Sequence, residues 1–367
     1  MLARNTVQEY SYFMAEIIKG RGTSLRPPGR FESRDTRRTD DGWGTIEEEL
    51  PPLRTTVTPE QAKSIISRNE SPDIGFSQSI NPYRGCEHGC IYCYARPSHA
   101  YLNLSPGLDF ETKLFFKPNA AELLDKELRK PGYRPSTIVL GANTDPYQPI
   151  ERRLQVTRGI LEVLARFRHP VGITTKGAMI ERDLDLLAGL ARDRLVGVGI
   201  TLTTLDPALK RTLEPRASSP QARLRVMRQL SEAGVPVRVM FSPVIPFVND
   251  AELERVLEAA AEAGASAASY ILLRLPYELK ELFRDWLQAH LPQRAAHVMS
   301  LINQSRGGKD NDPEFGRRMR GTGQFAELIA KRFALARRRY GLDREREGQD
   351  HGLFRVPPAA GDQMGLF

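Results

Sequence analysis

Asn81 to Ala95 reads NPYRGCEHGCIYCYA and holds every cysteine of the chain, Cys86, Cys90 and Cys93, in a C-x3-C-x2-C array. Three thiols on one short loop suit a metal centre better than a disulfide framework, and their clustering points to a reducing compartment. A structural zinc site normally has four protein ligands, whereas a catalytic centre keeps one position open. His88 or His99 could complete a Cys3His zinc site. A set of inert buried thiols is a third reading. The remaining alternative is a cubane iron–sulfur cluster held at three irons, with the fourth free of protein ligands.

Downstream of this loop, short β-branched runs alternate with amphipathic stretches. Strands are predicted at Thr137 to Leu140, Val171 to Thr174, Val196 to Leu202, Val237 to Ser242 and Ser269 to Leu273, with an earlier one near Ile74 to Ile80. Helical periodicity falls at Ala120 to Lys130, Arg153 to Phe167, Glu181 to Ala191, Gln221 to Ala233 and Asp250 to Ala263. Such alternation implies parallel strands joined by crossover helices, because no tight hairpin can join a parallel pair. Six strands fit a partial barrel or an open doubly wound sheet. The expected fold is therefore α/β, a partial (β/α)6 TIM-like barrel with an extended N-terminal arm and a helical C-terminal extension.

The chain divides on composition. Residues 1–70 form a basic, partly disordered arm, since 19–57 are rich in Gly, Pro, Arg and Asp without hydrophobic periodicity. Residues 71–300 form the core. Helical patterns resume at Tyr277 to Ala289, at the end of the core, and at Gly323 to Tyr340, within a basic helical extension of residues 301–342, and residues 343–367 form a flexible tail. At 40% hydrophobic and 27% charged, 367 residues are too apolar for a disordered chain and support a sizeable core. No apolar run reaches the ~18 residues of a membrane crossing, and the first 20 residues lack a clean signal-peptide core, so a cytoplasmic location is expected.

The net charge of +8 is uneven. Lys19 to Arg38 carries seven basic and two acidic residues and Arg306 to Arg339 ten and four, so these two segments exceed the surplus of the whole chain. Two basic segments around a near-neutral centre suggest a polyanionic partner, because Lys and Arg displace counterions from phosphates. A solvated Arg-rich surface is the plain alternative.

At the cysteine loop the chain resembles the radical S-adenosylmethionine (SAM) superfamily, whose cluster loop is C-x3-C-x2-C with an aromatic, here Tyr92, before the last cysteine. Gly85 and Tyr94 match as neighbours. The resemblance narrows to the spore photoproduct lyase-like branch and its uncharacterised bacterial relatives, and runs over roughly residues 75–300. It implies a [4Fe–4S] cluster on Cys86, Cys90 and Cys93 whose open iron binds SAM, with reductive cleavage giving a 5′-deoxyadenosyl radical. It also implies a reducing partner of flavodoxin or ferredoxin type.

Further residues carry the resemblance along the core. GANTDPYQPIE (Gly141 to Glu151) stands where the superfamily places an acidic residue near the SAM amino group, leaving Asp145 or Glu151 for that role; an ordinary loop and helix cap is the alternative. ITTKG places Lys176 where lyases contact the SAM carboxylate, and GITLTTLD places Thr201 at a SAM-contacting serine, followed by Thr203. In LEPRASSPQARL (Leu213 to Leu224), Glu214 and Arg216 are candidates for ribose or methionine contacts. Each alone reads equally as a loop salt bridge; their order on successive βα loops unites them. Lyases return hydrogen through a further cysteine that this chain lacks, and Tyr92 and Tyr94 stand where lyase tyrosines sit, as the candidate catalytic residues.

Two terminal features point to nucleic acid. Ser305 to Gly323 (SRGGKDNDPEFGRRMRGTG) has the Gly and Arg content of a phosphate-contacting segment, or of a solvated loop. QMGLF (Gln363 to Phe367) resembles the peptide by which bacterial repair proteins dock on the DNA sliding clamp, or is an apolar end folding back on the core. The leading expectation is a radical SAM enzyme acting on nucleic acid, in DNA repair or modification. A zinc-bearing nucleic-acid-binding module and a radical SAM enzyme for a peptide or small molecule are the alternatives.

Overall fold

A computed structural model of the chain describes residues 18–31, 54–344 and 348–358. Among the described residues ten strands form two sheets: β1 (Thr56–Pro59), β2 (Ser67–Arg68), β3 (Gln78–Ile80), β4 (Tyr83–Arg84), β5 (Lys113–Phe116), β6 (Ile138–Leu140), β7 (Val171–Thr175), β8 (Val196–Thr201), β9 (Val237–Val244) and β10 (Ala267–Leu272). The large sheet has the order β10-β9-β8-β7-β6-β3-β2. All its pairs are parallel except β2 with β3 at the edge. The order of its parallel strands never reverses, so the sheet has no topological switch point and is not doubly wound.

The helices are α1 (Leu108–Thr112), α2 (Ala120–Leu128), α3 (Glu151–Leu154), α4 (Val156–Arg166), α5 (Leu184–Arg192), α6 (Pro207–Leu213), α7 (Pro220–Glu232), α8 (Leu253–Glu262), α9 (Leu279–His290), α10 (Pro292–Gln304) and α11 (Gly323–Arg339). Local sequence explains the starts of α6 and α7. Asp206 accepts from Ala208 N at 2.7 Å and Ser219 from Ala222 N at 3.2 Å, each followed by a proline that sacrifices no helical hydrogen bond. The predicted helix from Arg153 to Phe167 is broken, because Gln155 takes a left-handed backbone (φ 53°) between α3 and α4. The strand expected near Ile74 to Ile80 is confined to Gln78–Ile80, and α10 has no counterpart among the predicted helices. The boundary expected at residue 300 falls inside α10.

Alternate residues of the parallel strands face the two sides of the sheet. Ile173, Val198 and Val239 turn toward the helices and pack in one buried core with Leu161, Leu187, Met227 and Leu257. On the opposite side, Gly172, Gly197 and Gly199 leave an open lumen of about 1060 Å³. A second core belongs to α9 and α10: Phe283, Trp286, Val298 and Ile302 pack with Ile91 and Tyr92 of the cysteine loop. This helix pair therefore backs the loop from the side away from the sheet.

Three peripheral segments complete the fold. Residues 18–31 lie against the cysteine loop, where Gly22 N donates to Glu111 at 2.9 Å and Leu108 N to Leu25 O at 2.9 Å. Residues 305–322 form a strap over β10, with Leu272 N donating to Met319 O at 3.0 Å. Residues 348–358 cross the strand beginnings: Gln349 Nε2 donates to Val171 O at 2.6 Å, and Phe354 packs beside Tyr133, Phe167 and His169. The clamp-like Gln363 to Phe367 lies outside the described residues. Among the described residues no helix is long and apolar enough to cross a membrane.

Candidate active site

The cysteine loop follows β3 and β4 at the carboxyl ends of the parallel strands, where βα folds gather their functional groups. Its path is fixed by four hydrogen bonds to three distant segments. Cys86 N donates to Phe110 O at 2.9 Å, Glu87 N to Gln148 Oε1 at 2.9 Å, Ile91 N to Leu213 O at 3.0 Å and Arg216 N to His88 O at 3.2 Å. From beneath, fully buried Arg96 donates to Cys90 O at 2.9 Å and Gly89 O at 3.1 Å and pairs with fully buried Glu111. Gly89 has φ +67°, and a Cβ there would stand 2.7 Å from Glu111 Oε2, so only glycine fits.

Cys86, Cys90 and Cys93 all line the lumen, together with Tyr92, Tyr94, Asp145, Lys176 and Thr201. Burial pushes the Cys90 thiol up to about 12 and that of Cys86 upward as well, so these thiols ionise only beside a compensating cation. Among the described residues, no three His, Cys, Asp or Glu donors converge closely enough to hold a single metal ion. Thiols that share a wall without converging suit a multi-iron cluster, which gives each thiolate its own iron. His99 has turned away: its Nε2 lies 2.9 Å from Lys113 O and its ring stands edge-on to Phe110. His88 does line the lumen, with Nδ1 3.3 Å from Asp145 Oδ2.

Asp145 and Lys176 are held side by side. Asp145 Oδ1 accepts from Thr175 Oγ1 at 2.6 Å and Tyr147 N at 2.8 Å, and its Oδ2 accepts from Lys176 N at 2.8 Å. Burial opposes the Asp145 charge, but His88, Thr175 and the Lys176 amide outweigh it and depress its pKa. Burial likewise opposes the Lys176 charge, and the Cys90, Glu214 and Asp145 side chains outweigh it and raise that pKa. The ammonium lies 5.8 Å from the centre of the Tyr92 ring. An acid and an ammonium presented together at a strand end match the two ends of an amino-acid zwitterion.

The remaining candidates stand elsewhere. Glu214 sits one layer behind the wall, fully buried, accepting from Tyr92 Oη and Arg223 and from Thr203 Oγ1 at 2.7 Å. Burial raises its pKa, yet Arg223 and Lys176 prevail and bring it down to about 2, so it is a constant negative charge. Thr203 belongs to the same network, and its Oγ1 lies 3.2 Å from Tyr92 Oη. Arg216 pairs with Glu87 at 3.0 Å on the outer side of the loop. Glu151 is off the lumen: it accepts from Tyr83, Arg182 and Thr157 N. Tyr94 is half exposed and donates to Ala142 O. The sequence marks Arg223, which closes the Glu214 network, only as part of the lyase-like run and gives it no role, and it does not flag Arg274, which reaches the lumen from the end of β10. A charged residue inside the apolar run LLRLP was the available signal for Arg274.

The radical SAM superfamily model matches residues 80–260, the span from the cysteine loop through α8. The chain belongs to this superfamily, whose members use a [4Fe–4S] cluster and SAM, and it is an enzyme of the radical SAM class. An uncharacterised protein of Mycobacterium tuberculosis is 38% identical over 260 residues, covering 70% of this chain and 75% of the relative. One of Methanocaldococcus jannaschii is 30% identical over 192 residues, covering 52% and 69%. Among solved structures, spore photoproduct lyase complexed with dinucleoside spore photoproduct superposes with a TM-score of 0.57 at 13% identity, over 77% of this chain and 79% of that one. A variant of that lyase with bound AdoMet and the dinucleoside gives the same TM-score of 0.57. At this identity the likeness is one of fold.

Proposed function

We propose that the sheet is a partial (β/α)6 barrel that holds a [4Fe–4S] cluster on Cys86, Cys90 and Cys93 and seats SAM against Asp145 and Lys176, and that the enzyme modifies or repairs nucleic acid. The observation that carries the cofactor reading is that all three thiols line one lumen without converging on a single-ion site, with burial raising the pKa of Cys86 and Cys90. When bound, the cluster supplies the electron that cleaves SAM to methionine and the 5′-deoxyadenosyl radical, drawn from a flavodoxin- or ferredoxin-type donor.

The chain's own groups bind and orient. Asp145 presents a carboxylate to an ammonium, Lys176 an ammonium to a carboxylate, and Thr201 a hydroxyl from the end of β8. The Glu214–Arg223 pair fixes Tyr92 through its phenolic oxygen, so the ring beside Lys176 keeps one orientation. Tyr94, near the open side, is the better placed of the two tyrosines to meet a substrate. Support for nucleic acid comes from the two basic segments and from the arginines along the strap.

The test is anaerobic reconstitution followed by metal and product analysis. Wild type should bind about four irons per chain and release 5′-deoxyadenosine when reduced with SAM. Cys90→Ala should lose both. One zinc with no iron in wild type, or undiminished release by the variant, overturns the reading.

A further inference from the structure

Where the strap crosses the end of β10, guanidinium groups outnumber the carboxylates available to them. Arg306 is buried with four carbonyl acceptors: Leu273 O at 2.6 Å, Arg318 O at 2.8 Å, Leu272 O at 3.0 Å and Arg317 O at 3.3 Å. No carboxylate touches it; its charge is spread over backbone dipoles. Arg318 lies alongside, with Asp73 2.7 Å from its Nε. Arg320 lies 4.0 Å from the centre of the Tyr270 ring.

Between these groups, Arg274 lines the lumen beside Tyr94 and Met319. Its Nε is buried without a hydrogen-bond partner, and Nη1 meets only the Met319 sulfur at 3.7 Å. The two nearby acids are committed elsewhere. Asp73 accepts from Arg318 and, at 2.7 Å, from Gly316 N, while Asp312 pairs with Arg317 at 3.3 Å. Burial and the neighbouring Arg318 lower the pKa of Arg274; burial and Arg274 together lower that of Arg306 to about 10. Both remain cations at neutral pH. A half-buried guanidinium with an idle donor and cationic neighbours is costly unless an anion completes it.

We propose that Arg274, flanked by Arg306 and Arg318, is an oxyanion subsite that seats a phosphodiester of the substrate at the lumen mouth. This deepens the nucleic-acid reading and rests on it. The subsite faces the lumen beside Tyr94, so a backbone phosphate held there would place its nucleoside toward the thiol-lined wall. Guanidinium is suited to the task, since its fork matches two phosphate oxygens at once. The strap supplies the surrounding field, and the ties from Arg306 to β10 hold it in register.

The test uses the full-length, cluster-reconstituted protein and a fluorescent single-stranded oligothymidylate, with affinity measured by anisotropy across a salt series. Arg274→Gln should weaken binding about tenfold and reduce the salt slope by about one, while Arg274→Lys, which keeps the charge, should retain the slope. Inorganic phosphate should compete only weakly. Cluster absorbance and 5′-deoxyadenosine release without substrate report whether each variant remains intact. Equal affinity and slope in wild type and an intact Arg274→Gln would overturn the subsite and leave the nucleic-acid reading standing. Failure of wild type to bind the oligonucleotide would overturn both. Arg274-dependent binding of inorganic phosphate without any for the oligonucleotide would instead mark a site for free phosphate and overturn the phosphodiester assignment.

Discussion

Arg96 and Glu111 form an ion pair with neither side chain exposed, and the same guanidinium holds the carbonyls of Gly89 and Cys90. The pair thus fastens the backbone that sets the spacing of the thiols. Removing one member leaves a buried, uncompensated charge, and that costs about 3–5 kcal/mol. Arg96→Met should lower the unfolding free energy of the apoprotein by that amount, read as a fall in the urea midpoint at unchanged slope, and reduce iron uptake on reconstitution, as measured by denaturation and iron assay.

The Glu214–Arg223 pair behind Tyr92 should behave as one unit. Glu214→Leu or Arg223→Met alone should destabilise by about 3–5 kcal/mol, because each strands a buried charge. The double variant should cost less than the sum of the two, with a coupling of at least about 1 kcal/mol. A four-protein denaturation cycle checks this.

His169 should make stability depend on acid. Burial drives its pKa down to about 4, with Nδ1 2.9 Å from Pro170 O and Nε2 2.8 Å from Tyr133 Oη. The folded protein keeps it neutral, whereas the unfolded chain protonates it below about pH 6.5. Stability should therefore fall as pH drops from about 6.5 to 4, by up to about 3 kcal/mol from this group, and level off below that range. His169→Gln should flatten the fall, as read from urea midpoints at several pH values.

Phe354 should anchor the segment that crosses the strand beginnings. Its ring lies 5.5 Å from Tyr133, 6.2 Å from Phe167 and 5.5 Å from His169, centre to centre. Phe354→Ala should cost about 1–3 kcal/mol locally and hasten proteolytic cleavage near residue 350, with little change in the melting of the core. Limited proteolysis with mass spectrometry measures it.

The thiol loop and the parallel strands were legible because both are local. Cysteine spacing and β-branched runs are written over a few residues, and Asp145, Lys176 and Thr201 reached the lumen because each ends a strand or opens the loop after it. Long-range partnership was not legible. Glu151 and Glu214 look alike beside Asp145 in sequence, yet Tyr83 and Arg182 claim one and Arg223 the other. The Arg96–Glu111 tie depends on a turn of chain between them that no periodicity announces. Arg274 became visible only when the strap brought Arg306 and Arg318 around it. Helix α10 starts on Pro292 directly after Leu291 ends α9, so a proline that commonly closes a helical pattern here opens one.

Gln349 ties the carboxyl-terminal segment to the strand beginnings. Its side chain is threaded among Thr137, Val171 and Leu195 at the end of the lumen remote from the thiols. Held there, the side chain lines the far end of the chamber, opposite the thiols. On the proposed reading, an oligonucleotide at the mouth would have to leave before any cofactor fragment seated behind it.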